Sequence, residues 1–294
     1  MRAQTETIAG ERQTRHLPRW MRHTGLTAGA VILATIVLMG LFAPLLAPHD
    51  PYEQNLLARI VPPVWYEGGS WEHPLGTDHL GRDYLSRLLY GARVSVFIGV
   101  TVAFVSGIIG TVLGVTAGYF GGKTDVVISF LITARLALPV ILVALAIVAL
   151  FGSSLTVVVS VLGLLLWDRF ALVMRATTQQ IRDADFVMAA KVQGASTLQI
   201  IIQEILPNVA TNLTVVATLE IAQAIVLEAA LSFLGLGVPP PLPSWGLMLA
   251  EGKSFILFDP WLITIPGVLL FGLVLAINLV GDGLRDVTAP DSRN

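Results

Sequence analysis

Residues 182–207 read RDADFVMAAKVQGASTLQIIIQEILP, a charged and polar island between two strongly apolar runs. Asp183 and Asp185 precede a helix-compatible run through Phe186, Val187, Ala189 and Ala190, and Gly194 interrupts it. Ser196 stands three residues before Gln199, the spacing of a capping box that opens a second helix. Thr197 comes after the cap, and Leu198, Ile201, Ile202 and Ile205 repeat at helical spacing. Pro207 is expected to stop that register. The island therefore reads as two short helices joined at a glycine, lying between membrane spans. Local features leave two readings open. One is a knuckle that receives a push from a soluble partner and passes it to the flanking spans. The other is a surface hairpin that only connects them.

Composition says why spans are expected on either side. Of the 294 residues, 54% are hydrophobic and 13% charged, against about 25% charged in a soluble domain. Most of the chain must lie in lipid. A net charge of −2 gives no reason to expect nucleic acid as a partner. The absence of cysteine excludes disulfide scaffolds, iron–sulfur clusters and thiol catalysis. His16, His23, His49, His73 and His79 show no metal-ligand spacing, and none lies in an apolar run.

Six apolar runs stand out, at about 25–47, 92–119, 126–150, 154–175, 209–232 and 260–281. Each reaches or approaches the roughly 20 residues needed to cross a bilayer. Backbone groups in lipid must be satisfied within their own segment, so these are helices. Period-two alternation, the mark of a barrel, is absent. The first run comes after a basic stretch (Arg2, Arg12, Arg15, Arg19, Arg22), as in a signal peptide. It is too long for a cleaved apolar region, and Pro44-Leu45-Leu46-Ala47-Pro48 is a poor cleavage site, so it is read as a retained span. Six spans put both termini on one side. The arginine-rich tail, Lys123, Arg175, Arg182, Lys191, Arg285 and Arg293 share that side. The Lys/Arg excess makes it the cytoplasm.

Residues 48–91 form a long excursion on the other side, carrying Arg59, Arg82 and Arg87, with Trp65, Tyr66 and Trp71 suited to a membrane interface. Loops of that length are often functional, although a passive loop is the simpler reading. Gly110, Gly114 and Gly118 recur every four residues in the second run, a face for close helix packing. Pro139 is expected to kink the third. Arg135, Asp168, Arg169, Glu220 and Glu228 are the ionisable residues inside apolar runs. Such residues face a bundle interior or a water-filled path. Glu220, near the middle of the fifth run, either lines that path or pairs with Gln223 or Asn278. Arg135 is placed to extend toward the cytoplasm.

The island resembles the cytoplasmic coupling loop of ABC-importer permease subunits. The family pattern is Glu-Ala-Ala, three residues, Gly, nine residues, Ile, one residue, Leu-Pro. Ala189, Ala190, Gly194, Leu206 and Pro207 match it, while Met188 replaces the Glu and Glu204 the Ile. Three further stretches narrow the family. HPLGTDHLGRDYLSRLLYGARVS (73–95), EAALSFLGLGVPPPLPSWGLML (228–249) and NLVGDGLRDVTAP (278–290) resemble the C-type permease subunit of dipeptide, oligopeptide and nickel importers. In the second stretch, Gly235 and Gly237 end the fifth helix, and the prolines at 239–241 and 243 stiffen the segment after it. Ser244-Trp245-Gly246 is expected to turn back toward the membrane with Trp245 at the interface. Asp282, Arg285 and Asp286 are expected just past the sixth span, capping it or meeting a partner.

The resemblance implies an all-α membrane protein with the type I ABC importer permease fold: six transmembrane helices and a cytoplasmic two-helix coupling loop at about 176–208. It divides the chain into a cytoplasmic tail (1–24), a first span with a long external segment (25–91), a permease core (92–287) and a C-terminal tail (288–294). It implies a multi-pass protein of the bacterial inner membrane with both termini cytoplasmic. The partners it implies are a second homologous permease, two cytoplasmic ATPase subunits or one two-domain ATPase, and an external binding protein. Ala189, Ala190, Gly194, Ala195, Ser196, Thr197, Leu198, Gln199, Glu204, Leu206 and Pro207 then form the ATPase-coupling interface. Arg135, Glu220, Glu228 and Trp245 are the pathway or gate candidates. The chain has no GxxxxGK[ST] loop, so ATP and magnesium belong to the partner subunits and this chain binds no cofactor or metal and catalyses nothing itself. The cargo expected is a dipeptide or oligopeptide. Alternatives are the same architecture carrying nickel or glutathione, an ion-coupled secondary transporter, and an intramembrane enzyme, for which no HExxH or GxSxG motif speaks.

Overall fold

A computed structural model describes residues 24–288. The tail 1–23 and residues 289–294 lie outside the described residues, and with them most of the two expected cytoplasmic tails. The described chain is helical, with a single isolated bridge between Thr77 and Asp83 in place of any strand.

The helices in order are α1 (Thr24–Leu41), α2 (Ala43–Leu46), α3 (Tyr84–Phe120), α4 (Gly122–Leu136), α5 (Val140–Phe151), α6 (Leu155–Leu165), α7 (Asp168–Ile181), α8 (Asp185–Val192), α9 (Thr197–Gln199), α10 (Leu206–Phe233), α11 (Trp245–Gly252) and α12 (Trp261–Thr288). Five helical stretches are long and apolar enough to span a bilayer, and α4 with α5 makes a sixth when counted as one broken span. The six expected spans are therefore present, with altered edges. The second begins at Tyr84, because Asp83 caps it by accepting from the Ser86 N–H. The last residues of the expected excursion 48–91 thus belong to α3.

One span is broken and another locally interrupted. α4 and α5 meet at 82°. Pro139 has no N–H to extend α4 and instead stands at the N-cap of α5. The expected kink is a full break. The fourth span runs farther than expected, to Ile181, and is interrupted at Leu166–Trp167 between α6 and α7. The sixth also runs on. Asp282, Arg285 and Asp286 lie within α12 rather than beyond it, so they are not its cap.

The glycine face of α3 packs where the sequence placed it. A Cβ on Gly110 would stand 2.4 Å from the Trp167 carbonyl oxygen, and one on Gly114 2.5 Å from that of Ala171. One on Gly118 would stand 2.7 Å from that of Arg175. Only glycines let α3 and α7 approach backbone to backbone. Around α3 lie four apolar cores. One joins it to α1, α10, α11 and α12, a second to α5, α6 and α10, a third to α7, α8 and the start of α10, and a fourth to α4 and α7. Phe104, Val112, Phe130 and Phe271 point outward, as lipid-facing side chains do.

Candidate functional site

The island at 182–207 is built around one backbone device. α8 ends in a Schellman motif. The Ala195 N–H donates to the Ala190 carbonyl and the Gly194 N–H to that of Lys191, both at 3.1 Å. Gly194 sits at φ +83°, open to glycine at little cost. Ala190 and Ala195, the apolar pair that closes such a motif, pack in the same core. Ser196 then caps α9: its hydroxyl accepts from the Gln199 N–H, and the Gln199 side chain accepts from the Ser196 N–H. The predicted glycine joint and capping box are both present.

The second short helix is not a separate element. Thr197–Phe233 runs as one helical stretch, so α9 is the first turn of the fifth span. Pro207 does not stop it. Between Ile200 and Ile205 the helix widens to π turns, and the Leu206 N–H donates to the Ile201 carbonyl, five residues back. A proline ring clashes with the carbonyl four residues earlier in a regular helix, and the wider turn removes that conflict. The Asn208 side-chain amide donates to the Glu204 carbonyl at 2.6 Å, an added tie across the wide turn. Proline thus stands in the first turn of α10.

Val187, Ile200 and Ile205 anchor the island by packing on Val115 of α3, Met174 of α7 and Val209 of α10. Arg182 ties the end of α7 to α3, donating to the Gly118 carbonyl at 3.1 Å. Arg175 grips Asp125 with two nitrogens, fixing the start of α4 to α7. On the opposite face of the island, Phe186, Met188, Val192, Leu198 and Ile202 are exposed, Val192 at 86%. Ala189, Gly194, Ser196, Thr197, Gln199 and Pro207 share that exposure, while Glu204 and Leu206 are half-buried. A rigid joint, welded to three spans, thus presents an apolar surface of its own.

The pathway candidates separate. Glu220, on α10, is buried and lies 3.3 Å from Arg169, not against Asn278. Arg135, Asp168, Arg169, Glu220 and Gln223 line one cavity of about 160 Å³. It lies beside both irregular spans: Arg135 precedes the α4–α5 break, and Asp168 and Arg169 open α7 after the interruption at Leu166–Trp167. Arg135 lines this cavity and reaches the Leu138 carbonyl at 3.5 Å. Glu220 lies 14 residues beyond Leu206, roughly 21 Å along the same helix.

Glu228 and Trp245 are fastened into the core. Glu228 is fully buried and accepts from Ser232 at 2.8 Å and Ser244 at 3.0 Å, binding the end of α10 to the start of α11. Gly235 (φ +82°) closes α10 with a second Schellman motif, as its position after the helix suggested. Trp245 is 1% exposed, which corrects its expected place at the membrane interface. Its indole N–H donates to the Leu88 carbonyl at 2.9 Å, and its backbone N–H donates to the Ser95 hydroxyl at 3.2 Å.

Sequence reasoning missed what holds this end together. Asp78, Arg82, Arg87 and Glu251 form a buried cage. Arg82 reaches Asp78 at 2.7 Å and Glu251 at 3.1 Å; Arg87 reaches Glu251 at 2.7 Å and also contacts Asp78. Burial pushes the Asp78 carboxyl up, but Arg87 and Arg82 outweigh it and hold it below its ordinary value. Arg82 and Arg87, which read in the sequence as charges of an external loop, are neutralised inside the fold. Gly81 (φ +73°) permits the turn before Arg82; a Cβ there would stand 1.8 Å from the Asn55 carbonyl oxygen. Glu251 is distant in sequence from its arginines, so no local spacing announces the cage.

Comparison with known proteins adds to this geometry. The model of the family described as binding-protein-dependent transport system inner membrane component matches residues 110–294. The model described as the N-terminal transmembrane domain of oligopeptide transport permease C matches residues 15–63, reaching into the basic tail. The dipeptide transport system permease protein DppC of Haemophilus influenzae is 40% identical over 92% of this chain and 91% of its own length. The di/tripeptide transport system permease protein DppC of Pseudomonas aeruginosa is 42% identical over 92% and 89%. Among solved structures, an inward-facing MetNI methionine ABC transporter aligns with TM-score 0.57 and 19% identity, covering 69% of this chain and 97% of that one. That likeness establishes the fold, the type I importer permease fold.

Proposed function

The chain belongs to the family of binding-protein-dependent transport system inner membrane components, and from that membership we propose that it is a permease subunit of an ATP-driven importer of dipeptides or oligopeptides. The peptide cargo is taken from the relatives named for dipeptide and di/tripeptide transport. The chain forms half of a translocation pathway, completed by a second homologous permease. An external binding protein delivers cargo from the side of the 48–91 segment. Two cytoplasmic ATPase subunits, or one with two domains, dock on the island. ATP and magnesium bind in those subunits and not in this chain. Both termini face the cytoplasm.

The observation that carries the coupling role is the continuity of α9 with α10. A displacement imposed at the exposed apolar face of the island is transmitted along one helix that bears Glu220. The Schellman joint keeps α8 and α9 moving as a unit, and the shared core with α3 and α7 spreads the motion to the glycine-packed pair. Nucleotide shifts the spans only to the extent that it binds one of their arrangements more tightly. The cavity around Glu220 adjoins the α4–α5 break and the α6–α7 interruption, where a change in span angle alters access, and on that ground Arg135 and Glu220 are assigned to the pathway. Glu228 and Trp245 instead hold α11 against α10 and α3, as a fixed outer wall.

The test is purification of the tagged chain in mild detergent with identification of the proteins that accompany it. Recovery of a second permease and ATPase subunits, with ATP hydrolysis stimulated by peptide-loaded binding protein in proteoliposomes, is the expected result. A chain that purifies alone from cells expressing its neighbours, and moves peptide without ATP, overturns the proposal.

A further inference from the structure

The end of the molecule opposite the 182–207 island holds a second constellation, apart from the residues assigned to coupling and to the pathway. The segment after α2 carries His49, the loop beyond it His73, and the cap of α3 is Asp83. These three are far apart in sequence, which is why no ligand spacing shows there. The fold brings them onto one point. His73 Nδ1 lies 2.9 Å and His49 Nδ1 3.6 Å from the same oxygen, Asp83 Oδ1. The two imidazole rings stand 4.7 Å apart, tilted by 41°. All three potential ligand atoms fall within 4.8 Å of one another.

Neighbouring groups hold the carboxylate and the first histidine in place. Asp83 Oδ2 accepts the Ser86 N–H at 2.7 Å, which fixes the carboxylate and leaves Oδ1 facing the histidines. The His49 N–H donates to the Ser86 hydroxyl at 3.2 Å, tying the His49 backbone to the same turn. A hydrogen bond to Asp83 accounts for His73 alone. It does not account for His49, whose Nδ1 is buried with no hydrogen-bond partner while standing beside an occupied carboxylate oxygen. A buried imidazole nitrogen left unpaired is costly.

We propose that His49, His73 and Asp83 bind a late first-row divalent cation, with zinc as its simplest representative. Two imidazole nitrogens and one carboxylate oxygen are the donor set such ions prefer. Ligands of a tetrahedral zinc site stand about 3.3 Å apart for metal–ligand distances of about 2.0–2.1 Å. The observed 2.9 and 3.6 Å to Asp83 bracket that value, and the third separation lies within 4.8 Å. Asp83 is fully buried, His73 is partly buried, and the His49 side chain is 33% exposed, leaving an edge for entry and for a water as fourth ligand. Asp50 and Glu72, adjacent in sequence to the two histidines, add negative charge. The other carboxylate–histidine group, Asp78, His79 and Glu251, carries no such proposal, because Arg82 and Arg87 already neutralise its acids. A bound ion would staple the exit of the first span, the loop and the start of the second span at one point, stiffening the face opposite the island.

The experiment uses the full chain in detergent, purified on a tag without histidine and stripped with EDTA. Zinc is titrated calorimetrically, and cobalt replaces it for visible spectroscopy. One zinc per chain is expected, with tetrahedral cobalt bands. His49→Ala and His73→Ala should each weaken zinc by at least about tenfold, the loss typical even of a site's supporting residues. His79→Ala, in the neighbouring cluster, should leave it unchanged. Zinc binding that is absent in the wild-type chain, or that persists in the His49→Ala/His73→Ala double variant, overturns the proposal. Because the readout is metal binding by the isolated chain, it stands or falls independently of ATPase docking and peptide transport.

Discussion

Gly194 is the residue whose replacement tests coupling most directly. Its φ of +83° lies in the left-handed region, and nothing stands within 4 Å of where a Cβ would be. A side chain there therefore meets no clash, and the whole cost is conformational. For alanine that cost is about 1–2 kcal/mol, for asparagine less, because its side chain tolerates this region. Since about 1.4 kcal/mol is a factor of ten in an equilibrium, Gly194→Ala should shift the population of the native joint by about tenfold. Proline is incompatible: its φ is fixed near −65°, and it lacks the N–H that Gly194 donates to Lys191. The assay is peptide transported per ATP hydrolysed in proteoliposomes of the assembled importer. The expected order of coupling is Gly, Asn, Ala, Pro, with insertion preserved because the cores that join α3 to the other long spans do not include the Gly194 joint. A Gly194→Pro importer with a wild-type ratio would refute the mechanical role of the joint. So would Gly194→Asn falling below Gly194→Ala, since φ alone sets the difference between them.

Three further outcomes are expected from the packing. Glu251→Gln removes one of two carboxylates facing two buried guanidiniums, so thermal unfolding in detergent should show a loss of about 3 kcal/mol; a change within error would mean that water enters the cage. Asp78 contributes stability that is present above its ordinary value of 3.8 and lost as pH falls through its lower folded value. The difference in melting temperature between the wild-type chain and Asp78→Asn should therefore hold from about pH 7 to 5 and shrink below about pH 4, and shrinkage near pH 6 would contradict a lowered Asp78. Gly114→Ala, whose Cβ would meet the Ala171 carbonyl at 2.5 Å, should cost about 1–3 kcal/mol, while Gly272→Ala, with nothing within 4 Å, should be neutral; equal effects would place the α3–α7 seam elsewhere.

Much of the architecture was legible because the relevant physics is local. A run of apolar residues must be helical in lipid whatever surrounds it, so six spans could be counted from hydropathy. The glycine joint and the Ser196–Gln199 cap depend on backbone geometry within a few residues, and both stand where the spacing put them. The four-residue glycine repeat on α3 named its packing face, although not its partner, α7. Pro207 misled because local propensity is permissive: proline forbids a regular turn before it, and the chain answered with a π turn instead of an end.

Helices, their joints and the charges they carry are set by neighbours along the chain, and to that extent the amino-acid order is enough. Which charges meet is settled only by packing. Glu251 joins arginines more than 160 residues away, Glu220 takes Arg169 from another span, and Trp245 enters the core because Leu88 offers it a carbonyl. His49 and His73 converge on Asp83 for the same reason. A buried polar group must find a partner, but burial is a property of the packed bundle, and no spacing along the chain reveals which partner the packing supplies.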